Sequence, residues 1–139
     1  MTPHVRPGPY TLVDVLLNKG EPVRLRGRER LHLRVRMRVR VSQAEPPRGL
    51  WDAATAAYEY RLSDGDGREI LAYHWHPGGQ SHAETPHLHL GVGAEIGRAE
   101  LLTAHLPTGS VAIQSVLRLA VESFGVEPAR RDWSRVLGE

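Results

Sequence analysis

Residues 31–41 read Leu-His-Leu-Arg-Val-Arg-Met-Arg-Val-Arg-Val. Apolar and polar side chains alternate without a break along this stretch, which is the pattern of a β-strand that buries one face. The sequence therefore predicts a strand whose aliphatic side chains pack on a core. Its opposite face presents His32, Arg34, Arg36, Arg38 and Arg40.

Shorter stretches downstream continue this pattern. A hairpin turn is predicted at 64–67, which reads Asp-Gly-Asp-Gly, because such residues tolerate the backbone angles of tight turns. Proline and glycine mark loops at 42–52 and 77–85. The predicted strands are 55–63, 68–76 and 86–90.

Helices are predicted mainly after the strands. Apolar residues at helical spacing from Ile113 to Phe124 predict a helix over 110–124, ended by Gly125. A last short helix carries Trp133. Residues 10–18 are predicted as a short helix, with a strand as the alternative, and residues 100–106 as a further strand. Strands followed by helices indicate an α+β fold: a single antiparallel sheet with helices on one face.

Composition narrows the class of protein. The 139 residues are expected to form one domain, 1–139, with a loose tail at 1–9. The absence of cysteine excludes disulfides and thiolate metal sites. No apolar run is long enough to span a membrane, and the N-terminus lacks a signal-peptide pattern, so a cytoplasmic location is expected. The first 40 residues carry ten cationic and three acidic side chains, which places the basic excess in one segment.

The same alternation assigns a face to each side chain of the other strands. If Tyr58, Tyr60 and Leu62 are buried, the residues between them point outward. The same alternation assigns the residues of strands 68–76 and 86–90 to the buried or the outward face. The outward residues then join the arginines of 31–41 on one surface, here called the His/Arg face. Besides those of the first strand, its members are Glu59, Arg61, His74, His76, His87 and His89.

The first chemical interpretation of this face is metal-independent cleavage of RNA, or binding of RNA phosphates. Histidine serves as base or acid near neutral pH, and arginine stabilises charge on phosphorus. The candidate catalytic residues are His74, His76, His87, His89 and Glu59. The candidate phosphate-binding residues are Arg34, Arg36, Arg38, Arg40 and Arg61. This mechanism requires no cofactor.

The second interpretation is a metal site. The same histidines, His74, His76, His87 and His89, form two His-x-His pairs that can supply four nitrogen ligands to zinc or another divalent metal. Cupins use His-x-His on a β-scaffold, but the glutamate expected to follow is absent here, and the arginines repel a cation. A third interpretation is a non-catalytic module that binds a protein or nucleic acid.

Residues 58–116 also resemble a known family. The Tyr58-Glu59-Tyr60 strand, the turn at 64–67, the stretch Tyr73-His74-Trp75-His76 and the stretch 86–89 (Pro-His-Leu-His) are similar to the TumE-like toxins of bacterial toxin–antitoxin systems. Related uncharacterised bacterial proteins share these blocks. The arginine-rich first strand and the chain after Gly125 depart from the family pattern. The resemblance implies a toxin acting on RNA, with an antitoxin protein as its partner.

Overall fold

A computed structural model describes residues 9–44, 50–78 and 84–138. Within these residues the chain forms one antiparallel sheet of seven strands and three short α-helices, which confirms the predicted α+β class. The strands are β1 (Tyr10–Leu16), β2 (Val23–Arg24), β3 (His32–Gln43), β4 (Trp51–Ser63), β5 (Glu69–Trp75), β6 (His87–Leu90) and β7 (Leu106–Pro107). The helices are α1 (Ala99–Thr103), α2 (Ile113–Phe124) and α3 (Trp133–Val136).

The spatial order of the strands is β1-β3-β4-β5-β6-β7, with β2 beside the first residues of β3. The predicted turn between β4 and β5 forms at 64–67. There the carboxylate of Asp64 accepts hydrogen bonds from the backbone N–H groups of Asp66 and Arg68, and Gly67 has a φ of +80°. This turn sets the register that aligns β4 with β5.

The core lies between one face of the sheet and helix α2. Leu33, Val35, Tyr58 and Tyr60 are buried there, and Val116 of α2 packs against them. The Tyr58 hydroxyl accepts a hydrogen bond of 3.0 Å from the N–H of Val111, which ties the segment before α2 to the sheet. Gly125 ends the helix at a φ of +67°, as predicted. The opposite side of the sheet is thereby left to the polar residues.

Residues 10–18 are not a helix, so the first expectation for them is wrong. Residues 10–16 form strand β1, which pairs with β3 from Tyr10 opposite Ser42 to Leu16 opposite Arg36. Their apolar residues fit helical spacing, but pairing with the long β3 satisfies the backbone of an otherwise solvated segment. All residues of β1 are exposed, and five apolar residues are among them.

Other boundaries also differ from the predictions. Residues 99–103 form helix α1 where a strand was expected over 100–106, and only Leu106 and Pro107 pair with β6. Strands β3 and β4 extend into the predicted loop at 42–52, where Gln43 lies opposite Trp51. Helix α2 begins at Ile113 rather than at 110, without a side-chain cap. Cross-strand pairing, which the local pattern does not contain, decides the ends of β3, β4 and β7. Among the described residues, no helix is both long and apolar enough to cross a membrane.

Candidate functional site

The register of three strands gathers the strand histidines. Glu59 of β4 lies opposite His74 of β5, and His74 lies opposite His87 of β6. His89 lies opposite Ala72, two pairs further along. Directly opposed residues of an antiparallel sheet share a face, so these three histidines and Glu59 point to the same side of the sheet.

A fifth histidine joins the four that the sequence singled out. The ring centroid of His105 lies 4.4 Å from that of His89 and 5.0 Å from that of His87. His105 precedes β7, whose Leu106 pairs with Leu88 and so draws His105 toward His89. His76 is the outermost member, 5.5 Å from His74. We call His74, His76, His87, His89 and His105 the histidine cluster.

His87 is the most buried of these rings, with 3% of its surface exposed. Its Nδ1 lies 2.8 Å from the carbonyl oxygen of Thr85. Because a carbonyl oxygen only accepts, Nδ1 carries the proton in this contact, and Nε2 is left with a free lone pair. A backbone hydrogen bond of this kind orients a histidine that ligates a metal through its other nitrogen.

His74 lies at the centre of the cluster. Burial lowers its pKa to about 4, Glu59 opposes that shift, and the neighbouring His89, His76 and His87 reinforce it. The ring is therefore neutral at physiological pH. Within the described part of the chain, no group hydrogen-bonds to its buried Nε2. A buried nitrogen without a hydrogen-bond partner lowers the stability of the fold by about 1–3 kcal/mol. A bound ligand at this nitrogen would remove that cost.

His89 completes a compact group of three. Burial lowers its pKa, and the electrostatic effects of the nearby His105, His87 and Arg61 lower it further. One ring nitrogen each of His74, His87 and His89 can be chosen so that all three lie within 4.8 Å of one another. In a tetrahedral zinc site with bonds of about 2.0–2.1 Å, ligand nitrogens lie roughly 3.4 Å apart. To ligate one ion, the nitrogens would therefore have to approach one another by at most about 1.4 Å.

The arginines of the His/Arg face are mostly engaged with the protein itself. Arg34 donates to the carbonyl oxygen of Gly20 at 2.7 Å, and Arg38 contacts both carboxylate oxygens of Asp14 at 2.7 and 3.2 Å. Arg40 lies 5.4 Å from the ring centroid of Tyr10. Arg36 is exposed, and no carboxylate of the described residues forms an ion pair with it. Arg36 is thus the arginine of β3 best placed to meet an anion.

Arg61 lies between two carboxylates. Its Nε is 2.9 Å from Glu69, and a terminal nitrogen is 3.4 Å from Glu59. The structure therefore places Glu59 next to both a histidine and an arginine. The negative charge of Glu59 raises the pKa of His74. The guanidinium of Arg61 holds the Glu59 carboxylate in place.

The sequence pattern located four of the five histidines and left His105 unassigned. The sequence around His105 would place its side chain on the polar face only if residues 106–107 were recognised as a strand. Two residues are too few to be recognised in this way. Comparison of the chain with models of protein families, with curated proteins and with solved structures found no match.

Proposed function

We propose that this protein binds a divalent transition metal ion, zinc before others, through His74, His87 and His89. The observation that carries the proposal is the convergence of their three ring nitrogens to within 4.8 Å. Zinc is bound by neutral imidazole nitrogen, and three protein ligands leave a fourth position for water or a substrate. Held by these three histidines, a zinc ion would supply the Lewis acidity that lowers the pKa of water, a chemistry suited to hydrolysis.

Two further features support a metal as the occupant. The buried Nε2 of His74 gains a partner, and the Nδ1 contact of His87 with Thr85 directs its Nε2 away from that backbone oxygen. A neutral ring also avoids the competition with protons that weakens metal binding by ordinary histidines. Together these features favour metal binding over a set of merely packed histidines.

The arginines do not prevent a cation from binding here. Arg61, the arginine whose charge acts on His89, lies against the carboxylates of Glu59 and Glu69. Arg38 is paired with Asp14. Ion pairs of this kind offset the positive field that the sequence alone suggested would repel a metal.

The test is zinc binding by untagged protein that has been stripped with EDTA and dialysed. Calorimetry at pH 7.5 should give about one zinc ion per chain, and His87→Gln should weaken the affinity by roughly 100-fold or more, since losing an outer-shell partner alone costs about 10–100-fold. His32→Gln is the matched control, because His32 lies on the same face of β3, opposite Ser63 and outside the histidine cluster.

Absence of zinc binding by the wild-type protein, or equal loss in the His87→Gln and His32→Gln variants, would contradict the proposal. Titrations with Co²⁺ and Ni²⁺ in the same series establish which ion the site prefers. A d–d absorption spectrum of the Co²⁺ complex would report a tetrahedral site directly.

Metal-independent RNA cleavage, the first interpretation from sequence, remains a second candidate. The observation that favours it is the cross-strand register. Arg36, Glu59, His74 and His87 lie side by side on four adjacent positions of neighbouring strands β3 to β6. A toxin role belongs with this candidate. Its antitoxin would be an acidic protein that covers the His/Arg face, in a complex weakened by salt.

The two candidates differ in their response to EDTA. Cleavage of single-stranded RNA by the EDTA-treated protein, lost in His89→Ala and undiminished by chelator, would favour the histidine mechanism. Cleavage that appears only on adding zinc would favour the metal site. Failure to cut any RNA in either state would leave the metal proposal standing and remove the ribonuclease role.

A further inference from the structure

A groove with a volume of about 380 Å³ lies beside the histidine cluster. Arg36, Arg38, Ala57 and His76 line it, together with the apolar side chain of Leu16 and the carboxylate of Asp14. Ala57 lies opposite Arg38 in the register of β3 and β4, among much longer side chains. Its single methyl group leaves open space between the arginines and His76, and we call this space the Ala57 groove.

Arg36 is held in place at this groove by a tight turn. A Cβ atom added to Gly20 would lie 3.3 Å from Nε of Arg36, and Gly20 has a φ of +88°. Glycine is favoured at such an angle, and here it also lets the guanidinium pack against the turn. Arg36 is thus preorganised, which lowers the entropic cost of binding an anion.

Two guanidinium groups, of Arg36 and Arg38, line the groove with one carboxylate, of Asp14, so its net charge favours an anion. Arg36 forms no ion pair with a carboxylate among residues 9–44, 50–78 and 84–138, whereas the neighbouring Arg38 is held by Asp14. Glu59, although directly opposite Arg36, is turned to Arg61 at 3.4 Å. His76 adds a hydrogen-bond donor on the other side of the groove. A guanidinium fork facing an imidazole suits the oxygens of a phosphate group.

We propose that the Ala57 groove binds the phosphate group of a small phosphorylated molecule, beside the metal site. His76 connects the two sites, since it lines the groove and its ring lies 5.5 Å from that of His74. The size of the groove matches ligand pockets of about 300–1,000 Å³. The proposal deepens the proposed function, because it names phosphate esters as the substrate class of the metal site, and in that respect it rests on that function.

The experiment measures anion binding separately from metal binding. EDTA-treated protein and zinc-loaded protein are each titrated with inorganic phosphate and with a nucleoside 5′-monophosphate. Arg36→Gln should weaken binding of both ligands by about 10-fold, the equivalent of roughly 1.4 kcal/mol, while zinc stoichiometry stays unchanged. Ala57→Leu, which fills the groove, should do the same.

Arg24→Gln is the matched control. Arg24 is exposed and lies opposite His32, on the same face as Arg36 but about 13 Å further along β3. It removes the same charge from the same surface without touching the groove, so phosphate affinity should stay within about twofold of the wild-type value at 0.15 M salt, where distant charges are screened.

The outcomes separate the two proposals. Phosphate binding that survives EDTA and weakens about 10-fold in Arg36→Gln supports the groove even if no zinc binds. Equal affinities for wild type, Arg36→Gln and Ala57→Leu would overturn it, whatever the result for zinc. Tight binding of single-stranded RNA with no response to either small ligand would overturn the assignment to a small molecule. A melting curve for each variant shows that it is folded, and Arg36→Gln tests the proposal even if Ala57→Leu does not fold.

Discussion

At the scale of single residues, His74 is the central residue of the histidine cluster on the His/Arg face. It is packed among His76, His87 and His89, with Glu59 as its nearest opposing charge across the sheet. Burial keeps the ring uncharged, so the lone pair of its unprotonated nitrogen stays available to a metal over the whole physiological pH range. The same burial makes protonation of this ring costly for the folded state.

The low pKa of His74 predicts a loss of stability in mild acid. Its pKa is about 4 in the folded protein and 6.5 in the unfolded chain, so the unfolded chain binds more protons between these values. The free energy of unfolding of EDTA-treated protein should therefore fall as the pH drops from about 6.5 to about 4, with no further loss from this ring below that range. His89, whose pKa is also lowered, contributes in the same direction.

Urea unfolding of the EDTA-treated protein at pH 7.5 and pH 5.0 measures this loss. His74→Gln should reduce the difference between the two pH values. The carboxylates with lowered pKa, Asp14, Asp64 and Asp132, start from 3.8 and lose their contribution only below that value, so they leave this window undisturbed. An unchanged difference in His74→Gln would show that other groups cause the acid sensitivity.

At the scale of elements, the two longest strands, β3 and β4, are each buried at one end and more exposed at the other. The first half of β3 lies under α2, where Leu33 and Val35 are buried. Its second half pairs with the exposed β1 and with the first residues of β4, which are also exposed. The shift in register after Arg38 marks the change, since a bulge increases the local twist of the sheet.

Because β3 is buried at one end and β1 is exposed, a valine-to-aspartate substitution should change stability by different amounts in the two strands. Val35→Asp places an unpaired charge in the core and should destabilise the protein by about 3–5 kcal/mol. Val13→Asp, in β1, changes a side chain that is 43% exposed and should cost about 1 kcal/mol or less. Thermal or urea unfolding compares the two variants directly. A similar, large loss in both would mean that β1 is covered in solution.

At the scale of the whole molecule, the proposed metal ligands belong to separate strands. His74 comes from β5, whereas His87 and His89 come from β6, and the chain between these strands must return in the correct register to bring them together. An unfolded chain does not hold its histidines in this arrangement. Binding at the site is therefore coupled to folding of the sheet.

Zinc should accordingly stabilise the protein. At a free zinc concentration 100 times the Kd, the free energy of unfolding should rise by about 2.7 kcal/mol if the unfolded chain has no affinity for the ion. His87→Gln should show little rise at the same zinc concentration, while His32→Gln should respond like the wild type. A melting temperature that zinc leaves unchanged in the wild-type protein would argue against a site formed by folding.

Alternation along the sequence is enough to tell which residues share a face of the sheet. Side chains of a strand alternate with a period of two, so the aliphatic residues of 31–41 and the buried Tyr58 and Tyr60 assign their neighbours to the other side. The stripe from Ile113 to Phe124 likewise indicated the helix that covers the core. These patterns are local properties of the chain, and they were enough to select His74, His76, His87 and His89 for attention.

Which of those residues come into contact depends on how the strands pair and pack. The tertiary structure brought His105 to His89, paired Arg38 with Asp14 and Arg61 with Glu69, and left Arg36 beside the space above Ala57. It also made residues 10–16 a strand, because the long β3 offers them hydrogen-bond partners that a short isolated helix lacks. Register, burial and ion pairing depend on residues far apart in the chain, and for that reason alternation along a single strand does not contain them.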